Sequence, residues 1–164
     1  MYYIRFDELK SRQKFLDEMI RRNHGISERQ VLDKVIALEV ELSEFANEVR
    51  FFKFWSNKEM DREKALTEYV DALHFFLSLA NDFNIDFNMG SDINDNDYSL
   101  KICYSRCKKW VLDILDSPEP EKVWQVAFSW FWAMGEIVGF TEQEVFFEYI
   151  RKNKINHERQ ESGY

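Results

Sequence analysis

Apolar residues recur at three- and four-residue spacing through most of this chain, and a few short polar runs interrupt them. Helix signals divide the sequence into six segments. The first runs from about Asp7 to Arg22 and stops at His24-Gly25, where glycine suits a left-handed cap. The second starts at Ser27, with Gln30 placed to close a capping box, and extends to about Phe54. The third follows "SNKE", again a serine with Glu59 three residues on, and continues through "EYVDALHFFLSLAND". Residues 84–99, rich in Asn, Asp, Ser and Gly, read as a solvated connector. Asp92, Asn94 and Asn96 resemble a calcium loop there, but lack the following Gly and distal Glu of an EF-hand.

A fourth helix spans about Tyr98 to Leu115, and Ser117 with Pro118 open a fifth, "EKVWQVAFSWFWAMGEIV". That fifth segment is apolar around most of its circumference, so it needs cover on several sides. The sixth starts with the capping box "TEQE" and runs into the polar C-terminus. No internal repeat, heptad run or linker breaks the pattern. The expectation is therefore an all-α single domain over residues 1–164, a bundle of about six helices.

Composition sharpens this picture. A 164-residue chain that is 45% hydrophobic and 16% aromatic, with 5 Gly and 2 Pro, buries a real core and favours long helices. A formal charge of -8 argues against a nucleic-acid polymer as partner, since that needs a basic footprint. Cys103 and Cys107 fit neither a disulfide framework nor a zinc spacing and read as reduced thiols, which suggests a cytoplasmic protein. The N-terminus has charges throughout and no apolar h-region, and no uninterrupted apolar run reaches the length of a membrane span.

The chemistry concentrates in carboxylates on otherwise apolar helices. Glu41, Glu44 and Glu48 fall within about 60° of one another, beside Leu38, Phe45, Val49 and Phe52. Glu68 and Asp71 repeat the i, i+3 pattern on the third helix, with Ala65, Ala72, Phe75 and Leu79 nearby. Carboxylates on buried faces need either cationic partners, here Lys34, Arg50 or Lys53, or a metal. One such pair is commonplace, whereas two on adjacent apolar helices favour a metal. Oxygen donors without Cys suit Mg²⁺, with Mn²⁺ as a substitute, and magnesium in turn suits phosphates. A di-iron bundle would need two Glu-x-x-His motifs, and only Asp71-x-x-His74 approximates one. His74 alone reads as a packed histidine or one abutting substrate.

Two further stretches suit a nucleotide. Lys53 and Trp55 follow the first carboxylates, one fit for phosphate and the other for a base or sugar. Near the C-terminus Lys152, Asn156 and Arg159 form a cationic edge beside the amides Asn153, Asn156 and Gln160. A snorkelling lysine, a core tryptophan and a solvated terminal helix are the plain alternatives.

Gln13-x-x-Leu16-Asp17, Glu41-x-x-Glu44 followed by "KFWS", "EYVDALHF" with Glu68-x-x-Asp71, and the ending "KNKINHERQESGY" together resemble one family. It is the dimeric, all-α dUTPases of the MazG-like nucleoside-triphosphate pyrophosphohydrolases, in the type found in Gram-positive bacteria and their phages. The resemblance spans nearly the whole chain. It implies a four-helix metal-binding core and magnesium-dependent hydrolysis of dUTP to dUMP and pyrophosphate, with dUDP also accepted by similar enzymes. It further implies metal ligands at Glu41, Glu44, Glu68 and Asp71, and an accessory metal or water-orienting role for Glu48. Gln13 and Asn156 would read the uracil edge, Trp55 would line the pocket, and His74 and Phe75 would crowd the deoxyribose. Lys53, Lys152, Arg159 and Lys154 would meet phosphates, with Gln160 among the substrate contacts. A homodimer is implied, in which the apolar fifth helix is covered by a second subunit or by the four-helix core. Two alternatives stay open: a related pyrophosphohydrolase acting on another nucleotide such as dCTP or a modified one, and a non-enzymatic helical interaction protein.

Overall fold

The computed structural model describes residues 5–86 and 99–163, and within them the chain forms six α-helices and no strand. These are α1 (Phe6–His24), α2 (Val31–Val49), α3 (Arg62–Asp82), α4 (Leu100–Asp113), α5 (Pro120–Val138) and α6 (Glu142–Glu161). The Asp92, Asn94 and Asn96 loop, and Tyr98 as a helix start, lie outside the described residues.

Several ends differ from the sequence expectation. α2 starts at Val31, not Ser27, and no capping box forms there. Ser27, Glu28 and Arg29 are all exposed, and a helical turn with nothing to bury gains little from packing. α2 also stops at Val49, because Arg50 takes a left-handed conformation with φ 68°. Its guanidinium holds the chain there, donating to the Lys58 carbonyl at 3.1 Å and the Ser56 hydroxyl at 2.8 Å. "FFKFWS" is therefore a set of turns beyond the helix. With Ser56 so engaged, Asp61 caps α3 instead, accepting from the Lys64 amide at 3.2 Å. Pro120 rather than Pro118 occupies the first turn of α5. The Gly25 cap and the Thr141/Glu144 capping box form as expected.

α3 is the axis of the fold. Most of its residues from Tyr69 onward are buried, and it packs against α1, α2, α5 and α6. Arg62 ties its start to α6, donating to Glu144 at 2.7 Å and to the Gly139 carbonyl at 2.9 Å. Behind it, α4 and α5 form a closely packed pair. Tyr69 stacks on Phe131 with centroids 4.2 Å apart, Phe76 meets Trp124 edge-on, and the Trp124 indole donates to the Phe76 carbonyl at 3.0 Å. Burying each such ring contributes about 1.5–3 kcal/mol. Gly135 permits this approach, since a Cβ there would lie 2.6 Å from the Tyr69 hydroxyl oxygen.

α5 is thus covered from within the chain by α3, α4 and Phe6 of α1. This cover is partial, since Val126 and Ile137 of α5 stay exposed. Cys103 and Cys107 are free, buried thiols on α4.

Candidate active site

α1, α2, α3 and α6 enclose a cleft of about 400 Å³. Each helix contributes because its buried stripe carries a few polar positions at helical spacing. From α1 come Gln13 and Asp17, from α2 Glu41, from α3 Asp71, His74, Phe75 and Ser78, and from α6 Lys152, Asn156, Arg159 and Gln160.

Part of the wall is a closed hydrogen-bond network. Asp17 accepts from Gln13 Nε2 at 2.8 Å and from the Ser78 hydroxyl at 2.7 Å. Gln13 Oε1 accepts from the Tyr149 hydroxyl at 2.9 Å and lies 2.7 Å from His74 Nδ1. The His74 ring stacks on Tyr149 with centroids 4.2 Å apart. Burial pushes the imidazole pKa down to about 3, so His74 is neutral. The Asp17 carboxyl is raised by burial, against the Ser78 hydrogen bond and the charge of Lys34, which itself pairs with Asp82 at 2.5 Å.

The other charged part of the site is unbalanced. One oxygen each from Glu41, Glu44 and Glu68 lie within 4.8 Å of one another. Burial, then the charges of Asp71 and Glu44, push both Glu41 and Glu68 up to about 7. Asp71 stands apart from this triad, held by Lys152 at 2.7 Å, and burial raises its pKa as well. The plain alternative fails on geometry: Lys34 pairs with Asp82, Lys53 donates to the Asn47 carbonyl at 3.0 Å, and Arg50 braces its own turn. Among the described residues no lysine or arginine forms an ion pair with the triad. Three crowded carboxylate oxygens with no ion pair, and only the more distant charge of Lys152 to offset them, are a donor set that fits a hard divalent cation.

The dUTPase family model matches residues 5–164. The chain belongs to the dUTPase family. A sequence search of curated proteins returns no match. Family membership assigns dUTP diphosphatase activity to the chain and sets aside the reading as a non-enzymatic interaction protein.

In this dUTPase the cleft brings together Gln13, Glu41, Asp71, His74, Phe75, Lys152, Asn156, Arg159 and Gln160, with Glu44 and Glu68 beside Glu41. It does not bring in three others. Glu48 and Lys53 line a separate polar recess with Arg50, Lys58 and Lys64, and Trp55 is 65% exposed on the turn after α2. Lys154 is also outside the cleft, within 3.8 Å of Glu158. Sequence reasoning gave no role to Asp17, Ser78, Tyr149 and Asp82, and offered Lys34 only as a partner for the paired glutamates, whereas it pairs with Asp82. A signal existed for the first two: Asp17 is one turn from Gln13, and Ser78 one turn from His74 on an apolar helix. Tyr149 gave none, because only the packing of α6 on α1 brings it to Gln13.

Proposed function

We propose that the chain hydrolyses dUTP to dUMP and pyrophosphate with Mg²⁺, or Mn²⁺ in its place, held by Glu41, Glu44 and Glu68, joined by Asp71. The observation that carries this reading is the triad itself: carboxylates within 4.8 Å, two of them with pKa near 7, and no ion pair to balance them. When bound, the cation would neutralise triphosphate charge and polarise the attacked phosphoryl group and its water.

The chain's own residues would do the rest. Lys152 supports Asp71 and, with Arg159, supplies positive charge for the phosphates. Glu41 and Glu44 orient the water and accept its proton, while Glu48, one turn further along α2, lines the separate recess and takes no part in the cleft as it stands. Gln13 and Asn156 read the uracil edge, with Gln160 near, while the His74 and Phe75 rings close on the deoxyribose. Lys53 and Trp55 stand outside this cleft, and the contacts expected of them with the phosphates and the outer pocket would be made to the cleft of a second subunit.

A homodimer of this single all-α domain is part of the same reading. Leu32, Ile36 and Val40 form an exposed apolar stripe on α2 at 56%, 54% and 49% exposure, next to Phe52, Leu112 and Leu115. Sedimentation equilibrium giving a single 19.9 kDa species at all concentrations would sink the dimer. The free, buried Cys103 and Cys107 support a reducing, cytoplasmic compartment. No helix among the described residues is long and apolar enough to cross a membrane.

The test is incubation with each deoxynucleoside triphosphate and with dUDP, with Mg²⁺ or EDTA, measuring monophosphate and pyrophosphate. Magnesium-dependent release of dUMP with little turnover of dCTP or dTTP is the expected result. Equal turnover in EDTA would overturn the metal assignment, and preference for dCTP or a modified nucleotide would overturn the base assignment.

A further inference from the structure

We propose that Asp17 is a positioning residue for base selection: it fixes the Gln13 amide so that the cleft offers the base an N–H there rather than a carbonyl. This rests on the reading above, in which the cleft takes the base of dUTP.

Donors and acceptors around Gln13 decide which way its amide turns. An ionised carboxylate only accepts. Asp17 therefore requires Gln13 to turn its NH₂ toward Oδ1, at 2.8 Å, while the Ser78 hydroxyl fills Oδ2. The reverse orientation would set two acceptor oxygens against each other in a buried place. With the amide so turned, both acceptor positions of Gln13 Oε1 are taken, by His74 Nδ1 at 2.7 Å and by the Tyr149 hydroxyl at 2.9 Å, whose one proton is shared with the Leu9 carbonyl at 3.2 Å. His74 must then carry its proton on Nδ1, because a carbonyl oxygen gives none, and its Nε2 is a bare acceptor. Nε2 is indeed buried with no partner of its own.

One role remains open in this wall of the cleft, the second N–H of Gln13. His74 Nε2 is closed to solvent and lies across the ring from the Nδ1 that faces Gln13, so it offers the base nothing. A donor there complements the O4 carbonyl of uracil. Cytosine presents an amino group at the same position, donor against donor. Gln13 alone would not discriminate, since a free amide flips to suit either base. Discrimination comes from the residues that hold it: Asp17 sets the direction, and Tyr149 keeps the carbonyl occupied.

The first measurement is the imidazole tautomer of His74 in the nucleotide-free full chain, by long-range proton–nitrogen NMR correlation. A proton on Nδ1 with a bare Nε2 is expected, and a proton on Nε2 would overturn the proposal without reference to activity. The second uses Asp17→Asn, whose amide permits Gln13 to turn over. The ratio of kcat/KM for dUTP to that for dCTP should fall tenfold or more, mostly through KM for dUTP. Tyr149→Phe, which keeps the ring on His74, should lower the same ratio several-fold and covers the case in which Asp17→Asn does not fold. Equal loss toward both nucleotides in these variants would overturn the proposal while leaving the dUTPase reading intact. Wild-type protein that does not turn over dUTP would overturn that reading and the proposal with it.

Discussion

Two groups of acidic residues meet at the cleft, Asp17 in its wall and the Glu41, Glu44 and Glu68 triad at its edge through Glu41, and they are built in opposite ways. Asp17 is finished: both oxygens accept from neighbours within 2.8 Å, and the charge of Lys34 offsets that of nearby Asp82. Glu41, Glu44 and Glu68 are unfinished, crowded within 4.8 Å with no ion pair among the described residues. The difference teaches where the fold ends and the reaction begins. A buried carboxylate that the chain satisfies contributes to structure and orientation, whereas one left short of charge is a place for something that arrives later.

The largest expected effect comes from breaking the unfinished group. Glu44→Gln or Glu68→Gln should lower kcat by roughly a thousand-fold or more, the scale of losing several kcal/mol of transition-state stabilisation. The melting temperature should hold or rise, because a repelling charge is removed. An unaltered rate would show that the triad is not where the chemistry happens.

Breaking the finished group should do the reverse. Asp17→Ala leaves Gln13 Nε2 and the Ser78 hydroxyl buried without an acceptor, for a loss of about 1–3 kcal/mol per group. Chemical denaturation should show the lost stability, while magnesium binding, read by titration calorimetry, stays close to wild type.

The contrast is sharpened by pH. Glu41 and Glu68 have ordinary pKa values of 4.5 raised to about 7 in the folded chain. Their contribution to stability is fully present below about 4.5 and is lost as pH rises through about 7, because the folded state then surrenders protons it holds more tightly. His74, depressed from 6.5 to about 3, acts oppositely, losing stability as pH falls below 6.5. The metal-free chain should therefore weaken from pH 6 to 8, and Mg²⁺ should restore it by about 2.7 kcal/mol at a hundred times its Kd. Thermal melts with and without Mg²⁺ across that range test this, and a metal effect independent of pH would contradict it.

The smallest effect lies outside the cleft. Gly135→Ala gains up to about 1 kcal/mol in helix propensity but drives a Cβ against the Tyr69 ring, where overpacking costs about 1–3 kcal/mol. A modest net fall in melting temperature is expected, with kcat preserved, since Tyr69 faces α5 rather than the cleft.

Much of this was legible in the chain itself. Helical period, few breakers and capping signals are local properties, so the number and order of the helices followed from them, as did the Gly25 and Thr141 caps. The ends of α2 and α3 did not, because Arg50 reaches across its turn to Ser56 and Lys58, and so leaves the capping of α3 to Asp61. The paired carboxylates could likewise be found from i, i+3 spacing on apolar helices. Whether Lys34, Arg50 or Lys53 neutralised them could not, since that depends on where three long side chains come to rest. Spacing along one helix is a short-range fact that sequence carries directly. The partners of Asp17, Gln13, His74 and Tyr149 come from three helices far apart in the chain, and only their packing decides which donor meets which acceptor.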